Sequence, residues 1–463
     1  MRSGSGYKGS LDTRSLFQLD SIMSDPRIPK LYPRSTPSWQ DRQRESFWML
    51  NEGRTPSFNT RPDLLEKLAR ECLSRNGRLY AESNAGFGWT HGANRQAFYR
   101  HRIIPHMLVD TNKRDTTTTL FGHKCAAPIG FSPVGINKIY NNAGEIPVAK
   151  VAGELHLPYA LSTAGSSSIE AVAAANDEGR NIPQAVHVEG ADENKSIRFF
   201  QLYLPHDDEL TISLLKRAHD SGFTACILTT DTWQLGWRHD DVATSNYAFY
   251  RGVGAELGLT DPVFQKRLAE KEIDPQKDPE RAAQTWIDEN VWHGRAFGWE
   301  KIPWVIKTWK EISGGAPFLI KGIQSVGDAQ KCVDIGCDGI VVSNHAGRQV
   351  DGAIASLDAL ENIINAGIGE KIVVTFDSGV RTPSDAIKAL CLGAKFVWVG
   401  RLWIWGLSIM GEEGVRHVMR CFLAEFDIAM AVGGFKNMDD FTRDRLESYP
   451  KSYSISESYT AKL

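Results

Sequence analysis

From about residue 128 the chain alternates short, unbroken apolar runs with longer amphipathic stretches. The runs are "APIGFSP" (127–133), "YALST" (159–163), "IRFFQLY" (197–203), "ACILTT" (225–230), "PFLIK" (317–321), "GIVVSN" (339–344), "IVVTF" (372–376) and "FVWVG" (396–400). Most of them lead into small or polar residues. Apolarity that is continuous, and not confined to every second position, marks strands covered on both faces, as in a parallel sheet. Helical patterns such as "GDAQKCVDIG" and "TPSDAIKALCLGA" lie between the runs. Eight β/α units predict an α/β fold of the TIM (β/α)8 type, with its chemistry at the C-terminal strand ends. A doubly wound sheet is the competing architecture. It needs a strand-order switch and usually a Gly-rich first turn, and no G-x-G-x-x-G occurs.

Outside the repeat, residues 1–60 are rich in Pro, Ser, Arg and Gly and read as an irregular arm. "RPDLLEKLARECLSRNG" predicts a helix that starts at Pro62, carries Leu64, Leu65, Leu68, Cys72 and Leu73 as its apolar stripe, and stops at Gly77. The expected parts are an N-terminal arm and helical extension (1–105), the barrel (106–435) and a polar tail (436–463). Two insertions interrupt the rhythm. One, at 176–196, is polar and predicts a surface loop. The other, about 239–303, mixes aromatic and charged residues, as a lid over the barrel mouth would; a peripheral decoration is the alternative.

Composition narrows the partners. The 463 residues are 42% hydrophobic and 24% charged, with a net charge of −3 and no long basic run. Neither nucleic acid nor an anionic membrane finds electrostatic support in that balance. No run approaches the roughly 18 apolar residues of a membrane span. The seven cysteines are scattered, and Cys332 and Cys337 lack zinc-knuckle spacing, so an intracellular, reduced setting is expected and no metal is. The terminal Ala461-Lys462-Leu463 is a variant of the peroxisomal S-K-L address, which leaves cytoplasm and peroxisome both open.

In a barrel the strand ends converge on one mouth. Here they supply Ser162, Gln201, Tyr203, Thr229, Asp231, Lys321, Ser343, His345, Arg348, Asp377, Arg381, Gly400 and Arg401. Singly, each has an ordinary role open to it: Asp231 as a helix cap, Thr229 as a satisfied strand residue, His345 as a packed ring. Together they place five cationic or potentially cationic groups on one rim. Lys321 ends a buried strand, where a lysine needs a partner. "DSGVR" (377–381) and "GR" (400–401) follow strands seven and eight, where this fold commonly binds phosphate. Arg348 and His345 offer an anion clamp and a base on one loop, and Asp231 could orient the base. Ser162, Gln201 and Thr229 suit a polar heterocycle. Phosphate, heterocycle and carboxylate clamp describe a flavin mononucleotide (FMN) site with a small acid substrate.

"SNHAGRQ" (343–349) resembles the active-site signature of the FMN-dependent 2-hydroxy acid oxidases and dehydrogenases. "FFQLY", "LTTDT", "LIKGI", "FDSGVR" and "VGR" follow the family's order, and the likeness spans about residues 62–435. "DTWQLGWR", "TDPVFQKR" and "WHG" look most like lactate 2-monooxygenase, which also carries a long insertion after strand four. The resemblance implies His345 as the base and Asp231 as its partner. It places Arg348, Tyr80 and Arg238 on the substrate carboxylate, Tyr203 on its hydroxyl, and Lys321 near the flavin N1–C2 edge. Ser162, Gln201, Thr229 and Ser343 would bond the ring system and ribityl chain, and Pro133 and Val134 would meet the flavin through their backbone. Asp377 would hold ribityl hydroxyls, and Gly379, Arg381, Gly400 and Arg401 the phosphate. An L-2-hydroxy acid and oxygen are the expected substrates, with peroxide release or decarboxylation as outcomes, in a homo-oligomer. A non-redox phosphate-binding lyase or isomerase and a flavin protein without turnover stay open. The chain departs from the family at Ala346, where Gly is usual, at "AESNAGFGW" after Tyr80, at Leu402 for Pro, and at Ala164, where glycolate oxidase has a bulky aromatic.

Overall fold

The computed structural model describes residues 34–192, 195–291 and 294–450. Eight parallel strands close into a barrel. They are β1 (Ile129–Phe131), β2 (Tyr159–Ser162), β3 (Arg198–Leu202), β4 (Ala225–Thr229), β5 (Phe318–Ile323), β6 (Gly339–Val342), β7 (Val373–Phe376) and β8 (Phe396–Val399). Each matches one of the apolar runs. β8 pairs with β1 through Val397 and Ile129, which closes the circle and excludes the open doubly wound sheet.

Alternation along the strands explains both the core and the mouth. Successive strand side chains point to opposite faces. Ala160, Phe199, Ile227, Leu319, Val341, Phe396 and Trp398 form one buried cluster inside the barrel, and Leu120 joins it from an antiparallel hairpin. The outward set, including Leu161, Phe200, Leu228, Ile320 and Val374, packs in the larger cluster with the helices. Two positions beyond an inward residue, at the open end, stand Ser162, Gln201, Thr229, Lys321, Ser343 and Gly400. The candidate site is therefore the next layer of the barrel's own packing.

The periphery differs from the sequence reading at five places. Gly77 does not stop the first helix. That helix spans Pro62–Cys72, Leu73 turns extended, and Ser74 caps a second helix, Arg75–Glu82, by accepting from the Gly77 N–H at 3.1 Å. A serine side chain that satisfies an orphan helix donor outweighed the glycine as a signal. The arm is helical over Asp41–Trp48, and Arg34 beside it pairs at 2.7 Å with the fully buried Asp427, which Arg114 also holds at 2.6 Å. The 176–196 stretch begins as helix, since Ile169–Arg180 buries Asn176 and Arg180. The tail folds back as far as Leu446–Ser448, which pairs antiparallel with His101–Ile103. Ala461-Lys462-Leu463 lies outside the described residues.

The long insertion is the fifth. Only its approach, through Leu235 and Arg238, lines the mouth. The following helices bury Leu257, Phe264, Leu268, Trp286 and Val291 and pack beside the barrel on the helix Asp208–Asp220. Apolar burial fixes them there, so these described helices form a lateral buttress.

Candidate active site

A cavity of about 140 Å³ opens at the C-terminal end of the barrel. Tyr80, Pro133, Val134, Ser162, Tyr203, Arg238, Lys321, His345, Arg348, Asp377, Gly379, Arg381, Gly400 and Arg401 all line it. Asp231, Gln201, Thr229 and Ser343 do not line it directly, and the last three are buried at their strand ends.

At the catalytic end, His345 Nδ1 lies 2.7 Å from Asp231 Oδ1. A carboxylate there accepts the Nδ1 proton, which leaves Nε2 of a neutral ring as the proton acceptor. Asp231 caps no helix, because the next one starts only at His239. Its Oδ1 also accepts from Thr232 Oγ1 at 2.6 Å, and its Oδ2 faces Lys321 Nζ at 3.2 Å. Burial favours the neutral acid, but the interactions with His345 and the Lys321 charge outweigh it and hold Asp231 well below the carboxylate range. Burial lowers the His345 pKa, Asp231 opposes, and Lys321 and Arg238 tip the balance downward, so the ring is neutral at pH 7. Lys321 is pulled down by burial and more than restored by Asp231 and Asp377, the latter 3.9 Å away.

At the anion end, Arg348 sits 4.7 Å and Arg238 5.7 Å from the Tyr80 ring centre. Arg348 donates to the Tyr80 and Ser83 carbonyls at 2.8 and 2.7 Å, and Arg238 Nε donates to the Arg348 carbonyl at 3.2 Å. Among the described residues neither guanidinium has a carboxylate partner, so two aimed positive charges await an anion. Tyr80 thus lines the cavity beside both guanidinium groups, despite its unusual flanking sequence.

The remaining wall tests the fit to FMN. Gln201 Oε1 accepts from Ser162 Oγ at 3.0 Å and Thr163 N at 3.2 Å, while its Nε2 is buried without a partner. Thr229 Oγ1 is likewise buried and unpaired. Such orphans cost about 1–3 kcal/mol each unless a ligand satisfies them. Burial, then the neighbouring Arg95, pushes Arg381 down to about 10. Burial, then Arg381 and Arg348, pushes Arg401 down to about 9. A phosphate between these arginines relieves both penalties, so donors, orphans and cations fit a phosphorylated heterocycle.

Sequence reading missed the support for these groups. In the helix Trp89–Tyr99, Asn94 and Asn344 exchange side-chain hydrogen bonds of 2.8 and 2.7 Å directly beside His345. Arg95 donates to the Gly379 carbonyl and pairs with Asp385 at 2.8 Å, bracing the phosphate loop. Tyr140 also lines the cavity. None carried a local signal, because each lies outside the strand ends.

A barrel mouth lined by Arg381 and Arg401, by two further guanidinium groups beside Tyr80 and by a histidine paired with a carboxylate suits a flavin oxidoreductase of small acids. The chain belongs to the FMN-dependent dehydrogenase family, whose model matches residues 69–448. It is 43% identical over 402 residues to the FMN-dependent alpha-hydroxy acid dehydrogenase qulF of Penicillium citrinum, covering 86% of this chain and 94% of that one. To an L-lactate oxidase of Lysinibacillus sphaericus it is 35% identical, covering 81% and 89%. A crystal structure of mandelate oxidase superposes with a TM-score of 0.68 at 28% identity, covering 85% of this chain and 99% of that one. FMN is the cofactor, and oxidation of a 2-hydroxy acid is the reaction class.

Proposed function

We propose that the protein oxidises an L-2-hydroxy acid larger than glycolate, uses oxygen as the electron acceptor and releases peroxide. The 2.7 Å His345–Asp231 pair beside Arg348 and Arg238, which have no carboxylate partner among the described residues, carries this reading. The two guanidinium groups seat the substrate carboxylate and Tyr203 meets the hydroxyl. His345 Nε2 then faces the proton to be removed, and Asp231 stabilises the imidazolium that results. FMN, when bound, takes two electrons from the substrate and passes them to oxygen. Lys321, Ser162, Gln201, Thr229 and Ser343 would bond its ring and ribityl chain, Pro133 and Val134 would contact it through the backbone, and Asp377 would hold the ribityl hydroxyls. Gly379, Arg381, Gly400 and Arg401 would hold the phosphate.

Ala164 lines the cavity where a larger side chain would shorten it, which supports a substrate with a side chain of its own. The lateral position of the insertion removes one support for a sealed, decarboxylating site and favours the oxidase outcome. The test is anaerobic mixing with a panel of L-2-hydroxy acids, then oxygen admission and product analysis. Flavin bleaching, then peroxide and 2-oxo acid in equal amounts, is expected; the shortened carboxylic acid as main product would overturn the oxidase outcome. Because the His345 pKa lies below 6.5, the bleaching rate should stay flat above that pH and fall only below it. His345→Ala should retain FMN and lose bleaching, and parental bleaching in that variant would refute the assignment of the base.

A further inference from the structure

A second cavity, of about 60 Å³, lies against the outer face of β4. Leu204, Leu228, Val291, Phe297 and Ile302 build the apolar part of its wall, and Thr229 and Thr230 join it from the end of β4. Val291 ends the wide helical turn Thr285–Val291, so the buttress supplies part of this wall. Such turns recur at functional positions. Among the described residues Arg295 is the single charged one on the wall; it donates to the His206 carbonyl at 2.7 Å and lies 5.6 Å from the Phe297 ring. The half-exposed Trp233 lies toward solvent.

Tyr203 and Thr232 line this cavity and the active-site cavity alike, so these two side chains form the partition between them. Thr232 Oγ1 is 2.6 Å from Asp231 Oδ1 and 3.3 Å from His345 Nδ1, which puts the partition at the reacting groups. The second cavity is under half the volume of the first, and its one cation is already engaged. A hydroxy acid finds no free anion clamp there. A small, neutral, apolar molecule finds both space and a matching wall.

We propose that this cavity is a dioxygen site, an apolar side chamber that holds oxygen and passes it to the flavin across the Tyr203–Thr232 partition. It offers a path separate from the mouth, which cofactor and acid occupy together. The inference rests on oxygen being the acceptor, as in the proposed function.

The direct probe is xenon, applied under pressure to crystals of the FMN-loaded enzyme. A xenon peak between Leu228 and Ile302 is expected, and an empty cavity would overturn the proposal without any variant. Val291→Phe and Ile302→Phe fill the chamber from two sides. With flavin reduced by light, and hence without substrate, the second-order rate constant for reoxidation by oxygen should fall at least fivefold in both. FMN affinity and anaerobic bleaching should stay within twofold of the parent. Parental reoxidation in the filled variants, or equal losses of bleaching and reoxidation, would sink the idea. If no hydroxy acid bleaches the parent, the substrate reading fails instead, while photoreduction still tests the chamber.

Discussion

The loop that carries His345 and Arg348 contains three consecutive left-handed residues: His345 (φ 53°), Ala346 (φ 57°) and Gly347 (φ 78°). The family's usual glycine after the histidine is alanine here, and the structure shows what each position demands. A Cβ on Gly347 would lie 2.7 Å from the His91 amide nitrogen and 3.1 Å from its Cα. Backbone atoms of the helix Trp89–Tyr99 cannot yield that space. Gly347→Ala therefore incurs about 1–2 kcal/mol of left-handed strain and about 1–3 kcal/mol of overpacking, together roughly 2–5 kcal/mol. Ala346→Gly is the opposite case. It relieves about 1–2 kcal/mol of strain but loosens the unfolded chain by about 0.4–1 kcal/mol, a net gain of about 1 kcal/mol or less. Denaturant unfolding of the FMN-loaded enzyme measures both. Flavin bleaching should collapse in Gly347→Ala, because a shift of about 1 Å in a reacting group can cost roughly a hundredfold. The swapped double variant should bleach no better than Gly347→Ala, since the contact with His91 persists. Stability of Gly347→Ala within about 0.5 kcal/mol of the parent, well under the overpacking cost expected, would refute the reasoning.

Two further outcomes follow from the charges. Arg381→Ala and Arg401→Ala should each weaken FMN by about 10–150-fold, the worth of a charge-assisted hydrogen bond, while riboflavin affinity changes little; an equal loss for both ligands, measured by flavin fluorescence, would remove them from the phosphate. Burial, then Arg443 and Arg100, pushes His101 down to about 4, and burial, then Arg180, does the same to His156. Unfolded histidine takes its proton near pH 6.5, so between about pH 4 and 6.5 the unfolded chain binds more protons and stability rises with pH. Each ring should cost about 2 kcal/mol at pH 5 relative to pH 8. The difference in unfolding free energy between those pH values should shrink by about that amount in His156→Gln, and an unchanged difference would contradict it.

How much of this was legible follows from where each signal is written. The barrel was legible because strands buried on both faces leave eight continuous apolar runs. The site was legible because its residues sit two positions beyond an inward core residue, as Gln201 follows Phe199 and Lys321 follows Leu319. Asn94 and Arg95 were not, since their partners Asn344 and Gly379 lie hundreds of residues away and no local pattern encodes such contacts. Leu446–Ser448 was hidden in a polar segment whose pairing with His101–Ile103 depends on the same long-range closure. Lid and peripheral decoration both stayed open for the long insertion, because aromatic content indicates burial but not against which surface.

Those invisible contacts join the two ends of the site. Thr90 Oγ1 donates to the Val350 carbonyl at 2.9 Å, Asn94 grips Asn344, and Arg95 braces Gly379 and Asp385, all from one helix. Asn344 Oδ1 in turn accepts from the Gly347 N–H at 3.2 Å, and Ala346 N donates to Ser378 Oγ at 3.0 Å. The loop bearing His345 and the loop bearing Gly379 are thus tied to each other and to the same support. Left-handed strain at His345 and Ala346 persists only where surroundings over-determine it, and here three elements do so. The N-terminal extension accordingly braces both loops at once, and with them the proposed phosphate pocket and the proposed histidine base.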